Sequence, residues 1–137
     1  GARIPMTGCV FISLKDSDKP LMVNAAKRLL DMGFRIIATG GTADYFKAQG
    51  LDVSRVNKVL EGRPHIVDAL KNGEVHMVFN TTEGAQSVKD SRSIRTTSLA
   101  QKIPCVTTCA GSRAAVRAIE AMRADDLDVA PLQSYFG

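Results

Sequence analysis

The fold is decided by an apolar run and the turn that follows it, Phe34-Arg35-Ile36-Ile37-Ala38 and Thr39-Gly40-Gly41-Thr42. The run has the length and composition of a buried strand, and a helical pattern follows the turn. In an open α/β sheet the carboxyl ends of the strands share one edge, and ligands bind in the crevice there. Glycine lets a ligand approach the backbone closely, and hydroxyl and N–H groups donate to anionic oxygens. The turn is therefore predicted to bind an anion.

A second turn of the same kind, Asn80-Thr81-Thr82-Glu83-Gly84, follows the apolar run at residues 75–79. Taken alone, each turn can be interpreted as an ordinary strand-to-helix connection. Three further polar residues are expected near the same edge, because Ser13 ends the first strand, Lys19 begins the first helix and Lys58 follows the third strand. Together, these features predict a pocket for a small phosphorylated molecule.

Strand and helix patterns alternate along the chain. Strands are predicted at residues 9–13, 34–38, 51–56, 75–79 and 103–108. Helices are predicted at residues 18–33, 42–49, 64–72, 84–102 and 112–125, the last one capped by Ser112, with an irregular tail after Asp125. This alternation predicts an α/β domain at residues 8–137, in which a five-stranded, mainly parallel sheet carries helices on both faces as a three-layer sandwich. Residues 1–7 are interpreted as a linker remnant.

Composition excludes several classes of function. The 137 residues carry a net charge of +4, but only 5% are aromatic and the basic residues are dispersed, so no nucleic-acid partner is expected. No apolar run approaches the roughly 20 residues that cross a bilayer, so no membrane partner is expected. The three cysteines show no metal-like spacing, which favours reduced thiols in the cytoplasm and no metal site.

The sequence offers little that suggests catalysis. A pair of acids for general acid–base chemistry does not stand out, and the GxGxxG pattern of nicotinamide-binding proteins is missing. The cysteines are interpreted as core thiols, and His76 as a packed residue inside the fourth strand.

Four segments resemble one known family: the two turns quoted above, Asn57-Lys58-Val59-Leu60-Glu61-Gly62-Arg63-Pro64-His65-Ile66, and Asp90-Ser91-Arg92-Ser93-Ile94-Arg95. That family is the C-terminal allosteric domain of the carbamoyl phosphate synthetase large subunit. The resemblance covers nearly the whole chain and implies the methylglyoxal-synthase-like fold. The segment from Lys58 to His65 is its specific part.

The resemblance implies a function as well as a fold. Bacterial members bind UMP, an inhibitor, and IMP, an activator, in one pocket, and are not themselves catalytic. Carried over by motif, the effector-binding residues are Ser13, Lys19, Thr39, Gly41, Thr42, Lys58, Asn80, Thr81 and Thr82.

The resemblance also implies a larger parent protein. The parent subunit is an ATP-dependent ligase that works with a glutaminase small subunit in arginine and pyrimidine biosynthesis. It uses ATP with Mg or Mn and K in catalytic domains that this chain lacks, so no cofactor is expected here.

Two relatives compete with this interpretation. Methylglyoxal synthase acts on dihydroxyacetone phosphate with aspartates in a Gly-Gly-Asp stretch and after the fourth strand. This chain has Gly62-Arg63-Pro64 and Asn80-Thr81-Thr82 in those regions. The IMP cyclohydrolase domain of a bifunctional purine enzyme continues into a Leu-His-Pro-Lys-Val-His type segment, which this chain lacks. Many bacterial members of the preferred family have His in place of Gly40, a difference that concerns fine ligand preference.

Overall fold

A computed structural model describes residues 8–56, 66–81 and 84–129, with side chains described for all of these except 84–91 and 125–129. The predicted linker remnant at residues 1–7 and two predicted site residues, Lys58 and Thr82, lie outside the described part of the chain. Among the helices that are described, no segment combines the length and apolar character needed to span a membrane.

The centre of the molecule is a five-stranded sheet with the order β3-β2-β1-β4-β5. Every neighbouring pair is parallel, which confirms the predicted α/β architecture. The strands are β1 at Cys9–Ser13, β2 at Arg35–Ala38, β3 at Ser54–Arg55, β4 at Met77–Asn80 and β5 at Cys105–Val106. The central strand β1 is apolar throughout its first four residues because helices cover both of its faces.

Five helices connect and follow the strands: α1 at Lys19–Asp31, α2 at Gly40–Ala48, α3 at Ile66–Lys71, α4 at Gly84–Ala100 and α5 at Cys109–Val129. Helix α1 packs against α2 and α5, whereas α3 packs against α4. The two groups lie on opposite faces of the sheet, and each encloses its own hydrophobic core.

Side chains of β1 alternate between the two cores. Val10 and Ile12 are buried with Met22 of α1 and Ile119 of α5 in the larger core. Phe11 points the other way, into a smaller core that includes residues of α3 and α4. This is the period-two pattern of a strand, here apolar on both faces.

Several predicted element ends were wrong. Strands β3 and β5 each have only two residues, against six predicted for each. Helix α2 begins at Gly40 rather than Thr42, since the Thr39 carbonyl already accepts the Ala43 N–H at 2.7 Å. Helix α5 begins at Cys109, and it continues to Val129 through the predicted irregular tail.

The start of α5 shows which residue caps it. The Thr108 hydroxyl accepts the Gly111 N–H at 3.0 Å, and the Thr108 carbonyl accepts the Ser112 N–H at 3.0 Å. Thr108 therefore performs the capping role that the sequence reasoning gave to Ser112. Ser112 lies within the first turn and donates its own hydroxyl to the Thr108 carbonyl at 2.9 Å.

One prediction about buried side chains was wrong, and a second was confirmed only in part. His76 is exposed and precedes β4, and its Nδ1 accepts the Cys9 backbone N–H at 3.0 Å. Only Cys9 is fully buried among the cysteines, whereas Cys105 and Cys109 are half-buried.

Candidate functional site

The predicted site lies between β1 and β4, where the order in which successive strands are added to the sheet reverses. The connection after β1 runs towards β2 through α1, whereas the connection after β4 runs towards β5 through α4 on the opposite face. Two adjacent strands whose helices diverge in this way leave a crevice at their carboxyl ends. Ser13 and Asn80 are partners in the register of β1 and β4, and they line this end.

Buried hydroxyl groups hold the loop that leaves β1. The Thr42 hydroxyl accepts the Leu14 N–H at 3.0 Å, and the Thr81 hydroxyl accepts the Lys15 N–H at 2.9 Å. Both threonines are almost entirely buried, with exposed fractions of 2% and 7%. The β1–α1 loop is therefore attached to both predicted turns, one on each side.

A further hydroxyl pair joins β1 to β2. Ser13 Oγ and Thr39 Oγ1 lie 3.0 Å apart. Thr39 is the residue before α2, and its backbone is extended, as at a typical N-cap position. Its hydroxyl is directed to Ser13 instead of back to the helix, since no side-chain capping bond is formed. The first-turn N–H groups of α2 are therefore not satisfied by their own cap residue.

Lys19 brings a positive charge to this turn. Its side chain is only 14% exposed, and Nζ lies 3.1 Å from the position that a Cβ on Gly41 would take. Any side chain at Gly41 would crowd the ammonium group, so glycine permits this approach. The ammonium therefore lies beside the amino end of α2, where the helix dipole carries a partial positive charge.

Asp16 is the counter-ion of Lys19. Its Oδ1 lies 2.6 Å from Nζ, and its side chain is 90% exposed. The hydrogen bond from Lys19, and then the charge of Lys19, hold the pKa of Asp16 below its usual value. The sequence reasoning missed this residue, although its spacing of three positions from Lys19 could have indicated the pair.

The sequence reasoning did not name Arg55 as a residue near the site either. It is the last residue of β3 and the register partner of Ala38, which places it at the same sheet edge. Its guanidinium lies 3.1 Å from the position that a Cβ on Gly40 would take. Only strand pairing reveals this proximity, because Arg55 is fifteen positions from Gly40 and belongs to a weakly patterned strand.

The cysteines do not have the character of nucleophiles. Burial raises the pKa values of Cys9, Cys105 and Cys109 above the usual 9.0. At Cys109 the negative charge of Asp18 adds to this effect, against the opposing charges of Arg113 and Lys15. The three groups are therefore thiols, not thiolates, at neutral pH.

The structure brings most of the predicted residues together. Six of them lie at the carboxyl ends of β1, β2 and β4 or in the turns that follow, and Lys19 reaches the same place from α1: Ser13, Lys19, Thr39, Gly41, Thr42, Asn80 and Thr81. Within the part of the chain that is described, no group of three or more His, Cys, Asp or Glu side chains is arranged to hold a metal ion. The arrangement of hydroxyls, one lysine and a helix start is chemically suited to an anionic oxygen ligand.

Comparison with known proteins identifies relatives of this chain. A protein-family profile described as "MGS-like domain" matches residues 21–107. The carbamoyl phosphate synthase large chain of Brucella suis biovar 1 is 46% identical over 99% of this chain, which spans 12% of the length of that protein. The corresponding large chain of Pseudomonas aeruginosa is 51% identical over 85% of this chain, which spans 11% of its length.

A solved structure has the same fold. Methylglyoxal synthase from Elizabethkingia anophelis matches with a TM-score of 0.64, covering 82% of this chain and 79% of its own, at 16% sequence identity. At that identity the match shows shared architecture and not shared chemistry.

Proposed function

This chain belongs to the MGS-like domain family, and on that premise we propose that it is the regulatory domain of a carbamoyl phosphate synthase large chain. In this proposal the domain is not catalytic and binds nucleotide monophosphates, with UMP as inhibitor and IMP as activator. Its partners are the catalytic domains of the same subunit and, through them, the glutaminase small subunit. The parent is a cytoplasmic ligase that uses ATP with Mg or Mn and K in those other domains.

The observation that carries the proposal is the position of Lys19 against Gly41, at the first turn of α2 and beside buried threonine hydroxyls. A phosphate group needs several donors and a compensating positive charge, and this place offers both. The ammonium group, the N–H groups of the helix start and the hydroxyls of Thr39 and Thr42 would bind its oxygens.

The hydrogen-bond directions at the threonines also suit an anion. A hydroxyl has one donor hydrogen and two acceptor lone pairs. The hydroxyls of Thr42 and Thr81 accept from backbone N–H groups of the β1–α1 loop, so each also carries a hydrogen that can be donated to a phosphate or ribose oxygen. In this proposal Asn80 contacts the phosphate or the ribose. Lys58 and Thr82, outside the described residues, complete the proposed set.

The same bonds suggest how binding would be transmitted. A ligand regulates an enzyme only by binding two of its states with different affinity. The β1–α1 loop is hydrogen-bonded to both turns of the site, so a nucleotide that draws in either turn would move the loop and α1. Arg92 and Arg95 on α4 are exposed, and in this proposal they contact a neighbouring domain of the large chain. Charge reversal at these two arginines in the full large chain should weaken the effector response, and an unchanged response would exclude this relay.

The test is a calorimetric titration of UMP and of IMP into the 137-residue chain, with uridine as the phosphate-free control. Saturable binding of a nucleotide, with much weaker binding of uridine, would support the proposal.

The variant Lys19→Met should weaken UMP binding by about tenfold or more, since it removes a charge-assisted contact. Lys47→Met, on the exposed last turn of α2, is the matched control and should bind as the wild type does. If neither nucleotide binds at millimolar concentration, the proposal fails for this chain, and a partner-binding module without a working pocket becomes the better explanation.

A lyase activity on dihydroxyacetone phosphate is the second candidate, because the fold is shared with a methylglyoxal synthase. Such chemistry needs a carboxylate base in the pocket. Among the described residues, Asp16 is the carboxylate recorded in contact with Lys19, and its side chain is 90% exposed. We therefore expect no release of methylglyoxal from dihydroxyacetone phosphate by the purified chain, and measurable release would favour the lyase.

A further inference from the structure

The guanidinium of Arg55 lies at the start of α2, at a distance from Gly40 similar to that of the Lys19 ammonium from Gly41. We infer that Arg55 is a second cationic residue of the phosphate site and that Gly40 is the residue that admits it. The inference rests on the proposed function and extends it, since two cations suit the dianion of a terminal phosphate monoester better than a singly charged or neutral group. A phosphate monoester carries close to two negative charges at neutral pH.

The backbone places Arg55 at the ligand edge of the sheet. Arg55 pairs with Ala38 in the β2–β3 register, and the N–H of Val56 donates to the Ala38 carbonyl at 2.8 Å. Because the strands are parallel, Arg55 shares the carboxyl end of β2 with the turn that begins α2. The register of β3 on β2 thus brings the side chain of Arg55 to the start of α2.

The contact with Gly40 has a defined geometry. A Cβ added at Gly40 would lie 3.1 Å from one terminal nitrogen of Arg55, 3.2 Å from Cζ and 3.4 Å from Nε. In an edge-on approach Cζ would be the most distant of the three atoms, because the two nitrogens would stand in front of it. It is not the most distant, so the glycine faces the plane of the guanidinium and not its edge. The N–H groups lie in that plane, so they are directed past Gly40. The planar fork of a guanidinium at this place matches the oxygens of an oxyanion better than a point charge would.

Gly40 matters here because of space and not because of backbone conformation. Its φ is not in the left-handed region, so alanine could adopt the same backbone. A methyl group at this position would be closer to the guanidinium than most side-chain contacts allow, and the flexible arginine would have to move away. Gly40 and Gly41 are adjacent, so two cations approach two consecutive residues at the positive end of one helix. An anion bound there would interact favourably with both charges.

The inference is tested by measuring the affinity of UMP for four variants. Three are the single substitutions Arg55→Gln, Arg55→Lys and Gly40→Ala, and the fourth combines Gly40→Ala with Arg55→Gln. Arg55→Gln should bind UMP about tenfold more weakly, while uridine binding and the thermal midpoint stay the same. Arg55→Lys should lie between Arg55→Gln and the wild type, since it keeps the charge but loses the fork. Gly40→Ala should weaken binding less, and it should add nothing to Arg55→Gln, because it acts by displacing the arginine. The matched control is Arg35→Gln, which removes an exposed arginine at the opposite end of the neighbouring strand β2.

A second measurement keeps the two proposals distinguishable. The Nε–H resonance of Arg55, assigned by its loss in Arg55→Lys, is followed while inorganic phosphate and then UMP are added. A shift with both, together with weaker UMP binding by Arg55→Gln, supports the inference. If UMP binds the wild type and neither the resonance nor the Arg55→Gln affinity changes, the inference is wrong and the proposed function stands. If UMP does not bind but phosphate shifts the resonance, the nucleotide function fails and Arg55 remains an anion ligand. If neither ligand has any effect, both are overturned.

Discussion

Thr81 connects the ends of β1 and β4 by two hydrogen bonds of opposite direction. Its backbone N–H donates to the Ser13 carbonyl at 2.9 Å, and its hydroxyl accepts the Lys15 N–H, also at 2.9 Å. The first bond continues the sheet by one position beyond the strand, and the second fixes the loop that leads to α1. A residue that the sequence suggests as a ligand contact therefore has a structural role as well.

Thr81→Val should lower the free energy of unfolding by about 1–3 kcal/mol, because the Lys15 N–H loses its acceptor at a partly buried position. It should also weaken nucleotide binding, since the loop would no longer be held against the turn. Urea denaturation and calorimetry measure the two effects. Thr107→Val, the same change at an exposed position after β5, is the control and should stay within about 0.5 kcal/mol of the wild type. Equal effects of the two substitutions would contradict the structural role of Thr81.

Asp16→Asn should strengthen the binding of UMP by about two- to fourfold, because the carboxylate competes with the phosphate for Lys19. This direction is unusual, since most substitutions at a binding site weaken binding. Titration calorimetry at low and high salt measures it, and the gain should shrink at high salt as the ion pair is screened. Weaker binding by Asp16→Asn would mean that Asp16 supports the ligand instead of competing with it.

The titration of Asp16 provides a separate check on the ion pair. Its folded pKa is lowered by Lys19, so the stabilising contribution of the pair is present above the unfolded value of 3.8 and is lost as the pH falls through the folded value. The side-chain carboxyl carbon, followed by NMR, should titrate below 3.8, and its midpoint should rise towards 3.8 in Lys19→Met. An unchanged midpoint in that variant would show that the pair does not persist in solution.

Gly8→Ala should destabilise the fold more than Gly33→Ala does. Both glycines have positive φ, at 124° and 93°, so both substitutions strain the backbone by roughly 1–2 kcal/mol. A Cβ on Gly8 would in addition lie 2.5 Å from Nδ1 of His76, whereas a Cβ on Gly33 has no neighbour within 4 Å. The His76 ring would have to move and would lose its bond from the Cys9 N–H, at a further cost of about 1 kcal/mol or more. Urea denaturation decides this, and equal costs for the two variants would contradict the His76 contact.

Stability should fall as the pH rises above 9.0. Burial raises the folded pKa of Cys9, so above 9.0 the unfolded chain releases the thiol proton before the folded one does, and unfolding becomes more favourable. Urea denaturation at about pH 8 and about pH 10 measures the loss, which should be smaller in Cys9→Ala. Cys105 has a raised pKa as well, so some loss should remain in that variant. An identical pH dependence in Cys9→Ala and the wild type would refute the assignment to Cys9.

The strands and helices with strong patterns could be predicted because their signals are local. The runs at residues 9–13 and 75–79 are apolar on both faces, and they form or overlap β1 and β4. The ends of the weaker elements could not be predicted. For example, β3 is two residues long because pairing with β2 extends only from Ser54 to Arg55, which is a property of the neighbouring strand.

The sequence by itself determined the class of the fold and the position of the candidate site. Alternating strand and helix patterns require a parallel sheet, and polar turns after apolar strands must then share one edge. Tertiary structure alone decided how the residues of that edge are used. The order β3-β2-β1-β4-β5 sets Thr42 and Thr81 on either side of the β1–α1 loop, and it brings Arg55 to Gly40 and Lys19 to Gly41. These relations join residues distant in the chain, and their distances depend on strand register and helix packing, which no local pattern encodes.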